Sequence, residues 1–87
     1  MPKTFKLEIL TLDKLVYKGE ITSLVVPAEL GFLGVLADHA PLVASLTSGK
    51  ISLKDAAGKN ENFVSGGIGF LEVLKNKAVI ILDSLRI

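Results

Sequence analysis

Phe5, Leu7 and Ile9 alternate with Lys6 and Glu8. Ile51 and Leu53 alternate with Lys50, Ser52 and Lys54, and Leu71 and Val73 flank Glu72. A period of two sends successive side chains to opposite faces of an extended chain, so each segment reads as a strand with one buried face. No stretch keeps a 3.6-residue period long enough for a helix beyond a turn or two. Val, Ile and Thr are plentiful, as a pleated surface prefers.

The breaks between these segments come at short intervals. "LDK" near Asp13 and "KGE" at Lys18 to Glu20 predict the first turns, and "TSGK", "DAAGKN" and "SGG" predict later ones. Pro27 predicts the close of a strand, because it cannot donate to a ladder. "KNK", Lys75 to Lys77, predicts a hairpin between Leu71–Leu74 and Ala78–Leu82. The result is an all-β chain of about eight to ten short strands, an antiparallel β-sandwich or flattened barrel.

The 87 residues suit a single domain over residues 1–87. There is no cysteine, so neither disulfides nor thiolate-held zinc can brace it. A hydrophobic content of 49% and a mean hydropathy of +0.53 are high for so small a domain. They predict that a partner covers part of the apolar surface. "AVIIL", Ala78 to Leu82, is apolar on both faces. It is either a central strand between two layers or a strand whose second face docks on another protein. "SLVV", Ser23 to Val26, is a milder case. "AELGFLGVLADHAPL", Ala28 to Leu42, is punctuated like a loop yet is strongly apolar, whereas loops are ordinarily polar.

Several function classes are disfavoured. A net charge of +1 with scattered basic residues gives no footprint for nucleic acid or an anionic membrane. Five aromatic residues, four Phe and one Tyr, make a poor stacking platform. No apolar run approaches the roughly 18 residues of a membrane span, and "MPKTFKLEIL" lacks a signal-peptide core, so the reading is cytoplasmic. The single histidine, His39, follows Asp38, but neighbours on a strand point to opposite faces and make no catalytic dyad. His39 reads as a structural brace of its loop. One histidine without cysteine makes no transition-metal site, and "DAAGKNEN" falls short of a calcium loop. "GGIGFLE" superficially resembles a phosphate loop, but a strand rather than a helix follows it. Its glycines read as a tight crossing where a Cβ would collide. Lys77 lies in a hairpin, as the lysine of a lipoyl or biotinyl carrier does, but near the end of a chain whose halves do not match. No catalytic residue, cofactor or metal is expected.

"AELGFLGVLADHAPLVASLTSGKISL" and "FVSGGIGFLEVLKNKAVIILDS" resemble two blocks of the epsilon subunit of F-type ATP synthase, and "FKLEILTLDKLVYKGEITSLVVP" fits the first strands of that family. The three blocks span the chain in the right order. Ala28 and Asp38 stand where the family usually has glycine, and "GGIGFLEV" is longer than the usual form. The family commonly continues into a helical hairpin that can restrain ATP hydrolysis or bind ATP. The sequence ends at Ile87 without one, so neither role is implied, and a naturally short or a trimmed subunit both fit. "LDSLR", Leu82 to Arg86, faintly resembles an ATP-binding motif of those relatives but comes too early.

The resemblance implies a non-catalytic rotor subunit in the central stalk of a proton- or sodium-driven ATP synthase. It would couple the ring of c subunits to the gamma shaft, peripherally on the cytoplasmic face of a bacterial membrane. By position, Glu29, Leu30, Gly31 and His39 are candidates for the c-ring contact. Thr11, Val16, Tyr17, Ala40, Pro41, Leu42 and Ala44 are candidates for the gamma contact. A swinging-arm carrier modified on Lys77, or an unrelated carbohydrate- or peptide-binding sandwich, are the alternative functions.

Overall fold

The computed structural model describes residues 3–86. They form nine strands: β1 (Phe5–Thr11), β2 (Leu15–Ala28), β3 (Gly31–Leu36), β4 (Leu42–Leu46), β5 (Gly49–Asp55), β6 (Asn60–Ser65), β7 (Gly69–Leu74), β8 (Lys77–Leu82) and β9 (Leu85–Arg86). No helix occurs among the described residues. The strands follow the order β1-β8-β7-β4-β2-β5-β6-β9, with β3 on β2, and a further β1–β2 pairing closes a ring.

The long strand β2 explains how one continuous sheet becomes two layers. Its first half pairs with β1, from Leu10↔Leu15 to Phe5↔Ile21. Its second half pairs with β3 along Ser23–Ala28 and with β5 at Ile21–Val25. The β2–β5 register shifts between Ile21 and Ser23. A bulge there bends the strand, so its halves serve different layers. One layer is β1, β8, β7 and β4 with the start of β2. The other is β3, β5, β6 and β9 with the end of β2. Their inner faces share one core that includes Leu7, Ile9, Leu71 and Ile80 from the first layer and Leu24, Val35, Ile51 and Leu53 from the second.

All pairings are antiparallel except β1–β8, where Lys6↔Lys77 through Thr11↔Leu82 run parallel. Hairpins join sequence neighbours, whereas these two strands are brought together by the whole intervening chain.

The turn expected at Lys18–Glu20 does not form; β2 runs through it. Lys18 and Glu20 lie opposite Glu8 and Lys6, and Gly19 lies opposite the buried Leu7. The Tyr17 ring covers the glycine, where an added Cβ would stand 3.0 Å from the phenol oxygen. Gly19 is therefore a seat for an aromatic ring. The hairpin at Lys75–Asn76 forms as expected, with φ of 51° and 58°, the conformation of a two-residue type I′ turn. Pro27 stands one residue before the end of β2, and its carbonyl accepts from Thr47 N–H at 2.8 Å. Gly69 marks the anticipated tight crossing: a Cβ there would lie 2.7 Å from the Ile81 carbonyl oxygen.

Candidate partner-binding surfaces

Residues paired across a sheet share a face, so the registers state what each layer shows to the outside. In the first layer Ser45, Phe70, Ile81 and Leu10 form one outward row. Val43, Glu72, Val79 and Glu8 form the next. Val43 is 71% exposed, Phe70 52% and Ile81 49%. Leu15, opposite Leu10, and Leu74 are exposed as well. In "AVIIL", Ala78, Ile80 and Leu82 fill the core while Ile81 looks out. The second face of that strand is therefore an outer surface and not a second core. Charge is confined to the face's other rows: Lys77 Nζ stands 3.4 Å from Glu8 Oε2, and Lys6 pairs across to Glu20.

The apolar character continues across the open side of the sandwich. Glu29 and Leu30 form the two-residue tip of the β2–β3 hairpin. Leu30 is fully exposed and Phe32 is 72% exposed. With Leu33, Val43, Ala44 and Ser45 they line a groove, and Glu29 N–H donates to the Ser45 carbonyl at 3.1 Å.

His39 lies at the other end of β3. Six strand residues at about 3.4 Å each separate it from the Glu29 tip by roughly 20 Å. The structure thus groups Glu29, Leu30 and Gly31 and sets His39 apart. Its Nδ1 donates to the Ala40 carbonyl at 2.7 Å, a bond that folds the loop on itself. Asp38 adopts a left-handed φ of 62°, which Asp tolerates better than most residues. Its N–H donates to Asn76 Oδ1 at 2.8 Å, its carboxylate meets Lys3 Nζ at 3.0 Å, and Asn76 Nδ2 donates to the Thr4 carbonyl at 2.9 Å. Asn76 therefore ties three chain segments together, and nothing in its local sequence announces that role.

The gamma candidates disperse. Leu42 and Ala44 pair with the buried Val73 and Leu71, so they belong to the core-facing register, and Val43 between them faces out. Ala40 and Pro41 are exposed beside His39. Thr11 and Val16 line a second groove with Leu12, Asp83 and Leu85. Tyr17 is half-buried and meets Phe63 edge-on, with ring centroids 5.9 Å apart. Burial, followed by the charges of Glu61 and Asp55, pushes its phenol above the usual value of 10.0. Val43, Phe70, Ile81 and Phe32 face outward and are not among the positional candidates. Their signal was a strand with apolar residues at both parities.

None of these surfaces is equipped for chemistry. Among the described residues no three His, Cys, Asp or Glu side chains group as metal ligands. After the "SGG" turn comes strand β7, not a helix, so there is no phosphate loop.

The sequence and fold have known counterparts. Residues 4–86 match the family described as ATP synthase, Delta/Epsilon chain, beta-sandwich domain. The ATP synthase epsilon chain of Chlorobium limicola is 40% identical over 83 residues, covering 95% of this chain and 93% of that one. The sodium ion specific epsilon chain of Propionigenium modestum is 44% identical over 80 residues, which is 92% of this chain but 57% of that one. A chain of the Euglena gracilis mitochondrial ATP synthase superposes with a TM-score of 0.89 at 22% identity, over 99% of this chain and 54% of that one. A chain from the central stalk and c-ring of the Tetrahymena thermophila enzyme gives 0.77 at 13%, over 98% of this chain and 67% of that one. At those identities the structures speak for the fold, while the family match and the two relatives speak for descent: this chain belongs to the ATP synthase delta/epsilon family, as its β-sandwich domain.

Proposed function

We propose that the apolar outer face of the first layer grips the gamma shaft, and that the β2–β3 tip, Glu29, Leu30 and Gly31, meets the c-ring. As an ATP synthase epsilon chain the subunit is a non-catalytic part of the rotor stalk of a membrane-associated complex, on the cytoplasmic side in this reading. Its work is mechanical: rotation of the ring must reach the shaft without slip. The observation that carries the assignment is the outward row Phe70, Ile81 and Leu10 with Val43 beside it. A patch of this kind on a small chain is a docking surface by its composition. His39, a strand length from the tip, serves as the brace of its own loop.

The ring β1-β8-β7-β4-β2 suits this task, because a closed hydrogen-bonded circuit resists shear better than an open sheet. A standard interface covers about 800 Å² per partner, roughly a seventh of the 5404 Å² of accessible surface.

Titration of the chain against purified gamma subunit tests the reading. Phe70→Lys and Val43→Lys are expected to weaken binding at least about tenfold each, and Glu29→Lys to leave gamma binding intact while impairing assembly onto the c-ring. Equal gamma affinity for the wild type and both lysine variants would remove the first-layer face from the interface.

A further inference from the structure

The apolar stretch Ala28 to Leu42 contains a strand edge that lies outside the proposed gamma contact. β3 pairs with β2 alone among the described residues, so one long side of it is open. Natural open edges carry charges, prolines or bulges that block pairing. From Gly31 to Leu36, "GFLGVL" has none of these. Phe32 and Leu36 are 72% and 64% exposed.

The hydrogen-bonding pattern of this edge follows from its hairpin. Ala28 and Gly31 close a two-residue turn, and such a closing pair is hydrogen-bonded. Bonding then alternates, so Gly31, Leu33 and Val35 turn their backbone groups to β2. Phe32, Gly34 and Leu36 turn theirs to the open side.

The sequence is also nearly palindromic about Gly34. Leu33 answers Val35, Phe32 answers Leu36, and Gly31 answers Ala37. We propose that β3 pairs antiparallel with β3 of a second copy, in the register that sets Gly34 opposite Gly34, forming a two-fold dimer of the unassembled chain. Antiparallel edge pairing is self-complementary, as a two-fold contact requires. In this register the residues with outward backbone groups meet one another: Phe32 faces Leu36 of the copy, Leu36 faces Phe32, and glycine faces glycine. No charge opposes a like charge. The dimer covers the β2–β3 tip, so it competes with the ring contact proposed above and must dissociate on assembly. It leaves the first-layer face free.

Sedimentation equilibrium of the isolated chain, from about 1 µM to about 1 mM, tests this. An edge contact of this size belongs to the weak class below about 1,200 Å², so a monomer–dimer equilibrium with a midpoint near 100 µM is expected. Phe32→Lys or Leu36→Glu alone should weaken it at least about tenfold. Both positions are exposed, so the fold should survive, as circular dichroism would confirm. Mixing the two variants should recover association, because the introduced ammonium then faces the introduced carboxylate. In amide exchange, Phe32, Gly34 and Leu36 should gain protection with concentration, whereas Leu33 and Val35 should be protected throughout. A chain that stays monomeric to about 1 mM overturns the proposal. So does association that Phe32→Lys leaves unchanged, or that Phe70→Lys abolishes. None of these readouts involves gamma, so the dimer and the rotor contact stand or fall separately.

Discussion

The two layers are built by the same rule and finish differently on the outside. In the second layer the outward rows read Gly34, Val25, Ser52, Asn62 and Leu36, Ser23, Lys54, Asn60. Serine, asparagine and lysine fill its centre, and its exposed apolar residues are Val25, Val64 on β6 and those of the open strand β3. The first layer places Phe70, Ile81 and Leu10 in a row, with Val43, Glu72, Val79 and Glu8 in the next. Both inner faces are apolar, so folding alone explains the inner half of each strand and neither outer half. Water serves the serines and asparagines of the second layer. It serves the aromatic and aliphatic groups of the first poorly, and covering them gains about 25 cal/mol for each Å² removed from water. The difference is the ground for assigning the proposed gamma contact to the first layer.

The largest test of this contrast lies within one strand. Ile80 is fully buried and its neighbour Ile81 is 49% exposed. Ile80→Ala leaves a cavity between the layers and should cost about 3–4 kcal/mol in urea unfolding. Ile81→Ala should cost under about 1 kcal/mol in the free chain. If the two losses were equal, β8 would not have one core face and one docking face.

The next test compares the faces directly. Phe70→Lys should lower gamma affinity at least about tenfold, or about 1.4 kcal/mol, while Ser52→Lys should stay within about a factor of two. Isothermal titration of both variants reads the ratio. A loss from Ser52→Lys as large as that from Phe70→Lys would abolish the distinction between the two layers.

An effect of comparable size is expected at Asn76, which ties the β7–β8 turn of the first layer to the β3–β4 loop. Asn76→Ala removes the side-chain bonds to Asp38 N–H and the Thr4 carbonyl and places alanine at a left-handed φ. The expected loss is about 1–2 kcal/mol in thermal unfolding. Asn76→Gly keeps the turn conformation and should recover part of it, separating the backbone cost from the lost bonds.

Much of this arrangement was legible in the sequence. The alternating sets Phe5, Leu7, Ile9 and Ile51, Leu53 and Leu71, Val73 are all core residues, because strand parity is local information. Parity fails where both faces are apolar. In "LVASL" either Leu42 and Ala44 or Val43 could have faced inward, and only the pairing with Leu71 and Val73 decides it. "KGE" misled because a glycine between charged residues looks the same in a turn and beneath a tyrosine ring. Glu29 and His39 were grouped by position in the resembling family, and β3 sets them at opposite ends of a strand. The parallel β1–β8 pairing and the Asn76 tie join residues far apart in sequence, so no local pattern could report them.

The smallest expected effect sits at the seam between the layers. Tyr17 lies on the first half of β2 and packs edge-on against Phe63 of β6. Its phenol is held above 10.0, first by burial and then by Glu61 and Asp55. The folded chain therefore keeps this proton at a pH where the unfolded chain releases it. Below about pH 10 the phenol is neutral in both states and the contribution is fully present; it is lost as pH rises through the folded value. Urea midpoints should fall as pH rises above about 10, and Tyr17→Phe should make that fall shallower. Salt separates the causes, since about 1 M screens charges at separations beyond roughly 3 Å but does not restore hydration to a buried ring. With burial as the larger cause, most of the difference between the tyrosine and phenylalanine proteins should survive high salt. Its disappearance would assign the shift to Glu61 and Asp55, and the Tyr17–Phe63 contact would then be a charged rim and not a packed seam.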